Sequence, residues 1–150
     1  MDDIDRTLIA VLRQDGRASW AQLARAVGLS GPSVAERVSR LEQSGVITGY
    51  HATVDPVALG RSVAALVGIH LSDTSDQDAV TVALSKVEEI EDCWFVAGDE
   101  SFLVKVRVAD VTALEGTLSR LRRIRGVART RTTVVLSTKW EGRAAGEQVS

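Results

Sequence analysis

Cysteine and histidine are nearly missing from this 150-residue chain, which holds one cysteine, Cys93, and two histidines, His51 and His70. A lone cysteine rules out an intramolecular disulfide and leaves no basis for a cysteine-built zinc site. Two histidines are too few for a histidine metal site without several added carboxylates. Long apolar runs are also lacking. The longest, Val63 to Ile69, falls far short of the ~20 residues needed to cross a bilayer. The chain opens on Met1-Asp2-Asp3, acidic where a signal peptide is basic. These absences lead to the expectation of a soluble, cytoplasmic protein with no membrane partner. An excess of positive charge is missing too: 18 Lys and Arg face 20 Asp and Glu, for a formal net charge of −2. That balance does not suit a protein that coats nucleic acid indiscriminately, although a local basic patch fits within it.

What is present describes an ordinary soluble chain. Apolar residues make up 45% and charged residues 25%, which excludes global disorder. Only Lys86, Lys105 and Lys139 are lysines, so fifteen of the eighteen cations are arginine. Arginine favours planar, bidentate contacts over diffuse attraction. The length accommodates one domain, or two small ones of roughly 50 and 90 residues that are each marginal alone.

The first third reads as three short helices. Asp2 and Asp3 precede Ile4, Leu8, Val11 and Leu12, which lie on one helical face, and Asp15-Gly16 stops the run. Ser19 caps a second helix with Trp20, Leu23, Ala24 and Val27 expected inward, and Gly28 ends it. Ser30 caps a third, with Pro32 in its first turn and Val34, Val38 and Leu41 as its buried stripe, ending at Ser44-Gly45. The last two helices, joined at Gly28-Leu29-Ser30, have the pattern of a helix-turn-helix. Ser33, Glu36, Arg37 and Arg40 fall away from the buried stripe of the third helix. Small hydroxyl residues at its start allow close approach to a major-groove floor, with Arg37 and Arg40 within reach of bases or phosphates. Gln22 is placed to hold a phosphate beside a helix N-terminus. Periodicity alone fits a packing module as well as a DNA-binding unit. Six basic and six acidic residues through Tyr50 leave bulk electrostatics neutral on the choice.

Several stretches carry a more specific signal. Asp3-Ile4-Asp5, Gly16-Arg17-Ala18-Ser19, Leu23-Ala24-Arg25-Ala26-Val27-Gly28-Leu29-Ser30 and the segment from Val34-Ala35-Glu36-Arg37 to Ser44-Gly45-Val46-Ile47 occur in order and at fixed spacing. Together they resemble the Lrp/AsnC family, the leucine-responsive or feast/famine transcription regulators of bacteria and archaea. The resemblance implies a transcriptional regulator that binds double-stranded promoter DNA, with Gln22, Ser30, Pro32, Ser33, Glu36, Arg37 and Arg40 as candidate DNA contacts.

Beyond residue 46 the period changes. Val46 to Pro56 alternates β-formers with small polar residues and reads as an extended connector able to pair with a partner strand; His51 there is expected to face solvent. Resemblance to the family's linker implies a hinge strand contributing to dimer contact. Strands are then expected at 62–71, 92–96, 102–108 and 127–136. One helix is expected after Asp73–Asp78, carrying Ala79, Val80, Val82, Ala83, Val87 and Ile90. A second, after Asp110, carries Leu114, Leu118, Leu121 and Ile124. The order β-α-β-β-α-β is the ferredoxin-like split arrangement, with both helices on one face of an antiparallel sheet. The first strand is apolar on both sides, so the uncovered face is expected to be buried by a second copy of the chain. The predicted organisation is therefore α+β. A winged or three-helix helix-turn-helix domain spans 1–46, a hinge strand and linker 47–61, a ferredoxin-like effector-binding and oligomerisation domain 62–138, and a flexible tail 139–150. The resemblance implies a homodimer that joins into tetramers or octamers.

Gly98-Asp99-Glu100-Ser101 forms a tight turn between two strands. Such a turn offers backbone N–H groups to a carboxylate and acids to an ammonium, although Gly-Asp is also ordinary turn chemistry. The resemblance places a small-molecule effector site, for an amino acid, in this turn and in the facing last strand. Its candidates here are Gly98, Asp99, Glu100 and Ser101 with Thr130, Thr132 and Thr133. Many family members carry aspartate where Ser101 stands, so Asp99 or Glu100 must supply the partner for an ammonium group. Arg120, Arg122, Arg123, Arg125, Arg129 and Arg131 crowd twelve positions. They are expected to solvate a helix face and pair with Glu88, Glu89 and Glu91, with contact to wrapped DNA as the other reading. Cys93, with no evident base or cation nearby, is expected to pack in a core or at an interface rather than react. No Ser-His-acid or Cys-His set and no phosphate-binding glycine loop occurs, so no enzyme activity and no cofactor are expected. A stand-alone amino-acid-binding regulatory subunit would have no use for the helix-turn-helix.

Overall fold

The computed structural model describes residues 1–142, in two compact units built on Met1–Thr53 and Val54–Glu141. The first is helical. Helix α1 (Asp3–Gln14) begins at a capping box in which Asp2 and Asp5 each accept the other's backbone N–H. Helix α2 (Trp20–Val27) uses the same device, Ser19 paired with Gln22, and ends at Gly28 with φ +70°, a conformation that glycine adopts without cost. Helix α3 (Gly31–Gln43) starts at Ser30, whose side chain accepts the Ser33 N–H, and carries proline in its first turn. Leu8, Leu23, Val34 and Val38 are buried where the three helices meet. This is the three-helix form of the helix-turn-helix, with no strand among its described residues.

One expectation needs correction in this unit. Trp20 does not point inward: it is 51% exposed. As the first residue of α2 it lies beyond the seam that Leu23, Ala24 and Val27 form. The connector does not form a strand within the chain. Val46 and Ile47 turn back onto α3, both donating to the Leu41 carbonyl, and Ile47 packs on the helical core. Farther on, turns close at Pro56 and Val57, where Arg61 and Gly60 donate to their carbonyls. A strand needs a neighbour for its backbone groups, and a single chain offers none here.

The second unit is a four-stranded antiparallel sheet in the order β2-β3-β1-β4, with two helices. Its elements are β1 (Val63–Leu71), α4 (Gln77–Leu84), β2 (Ile90–Phe95), β3 (Phe102–Val108), α5 (Val111–Arg123) and β4 (Val127–Val135). Asp76 and Asp110 cap the helices. Ala65, Val67 and Ile69 of β1 join Phe102, Val104, Val106 and Val108 of β3 under Val80, Leu84, Leu114 and Leu121. Val87 and Ile90 pack against this core from outside α4; Val87 begins the connecting turn, and Ile90 opens β2. Their inward spacing imitates a helix because periodicity records burial rather than backbone. Val82, expected on the buried side of α4, is exposed.

The opposite face of the sheet is less apolar than β1 alone implies. Register places Leu103, Arg107 and Lys105 of β3 beside Gly68, Ala64 and Leu66 of β1, and Arg129, Arg131 and Thr133 of β4 on the other side. Arg107 is buried, held by Glu91 and Glu141 at 2.8 and 3.0 Å. Lys105 pairs with Glu91 at 2.7 Å and with Glu141. Glu141 belongs to the segment expected to be a flexible tail; residues 143–150 of that segment lie outside the described residues.

Candidate DNA-contact helix and effector cleft

Helix α3 gathers most of the candidate DNA contacts. Pro32, Ser33, Glu36 and Arg40 are exposed along it, with Ser30 at its N-cap. Ser30 Oγ lies 2.9 Å from Ser33 Oγ, so the two hydroxyls form one small polar patch at the helix start. Gln22 is exposed on α2, and its side-chain oxygen accepts the Ser19 N–H at 2.7 Å. Arg37 departs from the expected exposed face. It is half-buried, and its Nη1 donates to Asp2 Oδ2 and Asp5 Oδ1, each at 2.8 Å. The Asp5 N–H and the Arg37 guanidinium hold the Asp2 carboxyl below its ordinary range; Arg37 and the Asp2 N–H do the same for Asp5.

At the foot of α3, Tyr50 donates its hydroxyl to Glu42 Oε1 at 2.8 Å. Burial and the neighbouring Glu42 carboxylate push the phenol up to about 12.

The turn between β2 and β3 is closed by the Val96 N–H donating to the Ser101 carbonyl at 3.0 Å. Ser101 is tied to β1: its N–H donates to the Ile69 carbonyl at 2.9 Å and its Oγ accepts the Leu71 N–H at 3.4 Å. Glu100 is instead the acid that enters the cleft, its side chain only 16% exposed and paired with Arg131 of β4. Gly68 lies beneath it, and Asp99 and Gly98 are exposed. His70, Asp99, Glu100, Arg129, Thr130 and Arg131 line a cleft of about 340 Å3. His70 Nδ1 stands 3.4 Å from Arg129 Nη2.

The three threonines do not share a face. Thr130 and Thr132 pair with Ile69 and Val67, whose side chains enter the helix-side core, whereas Thr133 pairs with Leu66 on the open side. Sequence reasoning missed Arg129, Arg131 and His70 as cleft residues. Alternation along β4 was the available signal, since Arg129, Arg131 and Thr133 share one side of the strand.

The arginine cluster is only partly paired. Arg120 meets Glu89 and Arg131 meets Glu100, while Glu91 is taken by Arg107 and Lys105. Arg122, Arg123 and Arg125 are exposed at the end of α5 and just beyond it. Cys93 is exposed on edge strand β2, not packed in a core; partial burial nonetheless raises its thiol pKa. No group of three or more His, Cys, Asp or Glu among the described residues is placed to hold a metal. No helix among them is long and apolar enough to cross a membrane.

Residues 1–42 match the AsnC-type helix-turn-helix domain, and residues 64–145 match the Lrp/AsnC ligand binding domain. The chain belongs to the Lrp/AsnC family. It is 45% identical over 143 residues to the HTH-type transcriptional regulator LrpA of Mycobacterium tuberculosis, covering 95% of each chain. It is 40% identical to the leucine-responsive regulatory protein of Escherichia coli K12, covering 91% of this chain and 85% of that one. Among solved structures, it is similar to a feast or famine regulatory protein from M. tuberculosis complexed with L-methionine, with TM-score 0.90, 45% identity and coverage of 95% and 97%. E. coli AsnC matches with TM-score 0.88 at 28% identity, covering 96% of this chain and 97% of that one. As an Lrp/AsnC protein the chain is a transcriptional regulator with a helix-turn-helix DNA-binding domain, in a family of regulators rather than enzymes.

Proposed function

We propose that this regulator binds roughly palindromic promoter sites as a homo-oligomer in the cytoplasm and adjusts that binding to a free amino acid. On the DNA side, α3 enters the major groove. Ser30, Pro32 and Ser33 form its close-approach end, Arg40 reaches base edges or phosphates, Glu36 accepts from a base amino group, and Gln22 contacts the backbone. A second copy of the chain pairs with it, matching the two-fold symmetry of such sites, and dimers join into tetramers or octamers.

On the ligand side, the pairing of Glu100 with Arg131 inside the cleft carries the reading. An amino acid presents one ammonium and one carboxylate. Glu100 takes the first and Arg131 the second, so the resting pair opens as the ligand replaces each partner with its own charge. Asp99 and the backbone N–H of Gly98 close the turn side, Ser101 ties that turn to β1, Thr130 lines the cleft from β4, and Thr133 shares the open face of β4 with Arg131. Thr132 supports that strand. The L-methionine complex of the mycobacterial relative supports an α-amino acid as the ligand class.

Titration calorimetry of the purified protein against the twenty amino acids tests this. Binding of at least one, lost in Glu100→Gln and in Arg131→Gln, is the expected outcome. Binding that survives both substitutions contradicts the site.

A further inference from the structure

Each carboxylate of the α1 cap is used twice. Asp2 Oδ1 accepts the Asp5 N–H at 2.9 Å while Oδ2 accepts Arg37 Nη1 at 2.8 Å. Asp5 Oδ2 accepts the Asp2 N–H at 3.1 Å while Oδ1 accepts the same Nη1 at 2.8 Å. One guanidinium nitrogen from the middle of α3 thus closes the capping box of α1. The contact is partly dry, with the Arg37 and Asp5 side chains 23% and 15% exposed.

We propose that Arg37 is a positioning residue for DNA recognition: it makes no contact with DNA and sets the angle at which α3 is presented. The reason lies in the kinds of force involved. The core beneath the helices is Leu8, Leu23, Val34 and Val38, and apolar burial is non-directional. Charge-assisted hydrogen bonds are directional and fix geometry as well as distance. Arg37 and its two acids are therefore the device that can hold α3 against rotation or sliding on that core. A phosphate approaching Arg37 would have to displace two carboxylates and would meet their negative charge. Arg40, one turn along the same helix, is exposed and meets no such obstacle.

This inference rests on the assignment of α3 to the DNA groove, and the test separates the two. The full chain is titrated by fluorescence anisotropy, over a range of salt, against a duplex selected from a random-sequence pool. Asp5→Asn keeps an oxygen acceptor for the cap and removes a negative charge. Charge alone predicts tighter DNA binding for it; positioning predicts binding about tenfold weaker. Arg37→Ala is expected to weaken binding with the salt dependence of wild type, because no phosphate contact is lost.

Tighter binding or unchanged affinity by Asp5→Asn overturns the inference. So does a salt slope for Arg37→Ala shallower by about one unit, the signature of a lost phosphate contact. Asp5→Asn decides the matter alone if Arg37→Ala does not fold. Unchanged affinity in Ser33→Ala and Arg40→Ala would overturn the groove assignment of α3 itself.

Discussion

Glu100 lies across Gly68 so closely that a Cβ added to the glycine would stand 2.5 Å from the Glu100 Cγ. Strand β1 leaves room there for an acid to reach Arg131 on the neighbouring strand. Gly68→Ala should push Glu100 aside and separate that pair without removing either charge. Amino-acid affinity is expected to fall about tenfold or more, the loss typical of a charged hydrogen bond. Calorimetry with whichever amino acid binds the wild-type protein reads the effect, and circular dichroism checks that the sheet is retained.

Asp2 and Asp5 carry folded-state pKa values below those of the unfolded chain. Their contribution to stability is therefore complete above the ordinary carboxylate range and is lost as pH falls through the lowered folded values. Acid titration of the helical signal should show this loss, and Asp2→Asn with Asp5→Asn should make it shallower. An identical acid profile for the double variant would contradict the pairing with Arg37.

Tyr50 is the chain's single tyrosine, so its ionisation can be followed by absorbance without overlap from another phenol. The folded protein should titrate at about 12, where an unfolded phenol titrates near 10. The unfolded chain gives up this proton first, so stability declines as pH rises between those values. Glu42→Gln should lower the midpoint only partway, because burial is the larger cause and remains.

Leu8 is fully buried at the junction of the three helices. Leu8→Ala should destabilise the helical unit by about 2–5 kcal/mol through lost transfer energy and the cavity left behind. Thermal melting followed by helical circular dichroism measures it, with DNA affinity falling in step.

Cys93 is exposed on β2, yet its thiol pKa is raised by partial burial. Nucleophilicity follows the thiolate. Alkylation by iodoacetamide at neutral pH should be slower than for a free cysteine, and a faster rate would contradict the raised pKa.

Most of the fold was legible in the residues. Ser19, Ser30 and Asp110 announce helices that the structure begins one residue later, and Gly28 announces the end of α2. The third strand was readable to its end residues, Phe102–Val108. What failed to show had a common cause: sequence patterns report burial, not partners. Val87 and Ile90 are half-buried turn and strand residues that imitate helix spacing. Arg37 stands with Glu36 and Arg40 off the buried stripe, and nothing local discloses that Asp2 and Asp5 return to meet it from thirty-odd positions away. Arg131 was visible as one of a crowd of arginines. Only the pairing of β4 with β1 brings it to Glu100.

Regulation of this kind requires that amino acid and DNA binding be thermodynamically linked. Anisotropy of a selected duplex, titrated with and without saturating amino acid, measures the linkage directly. A change in DNA affinity of about 5–150-fold for at least one amino acid is expected, with the same factor recovered when amino-acid affinity is measured with and without DNA. DNA affinity that stays constant across all twenty amino acids at saturation would contradict an amino-acid-responsive regulator.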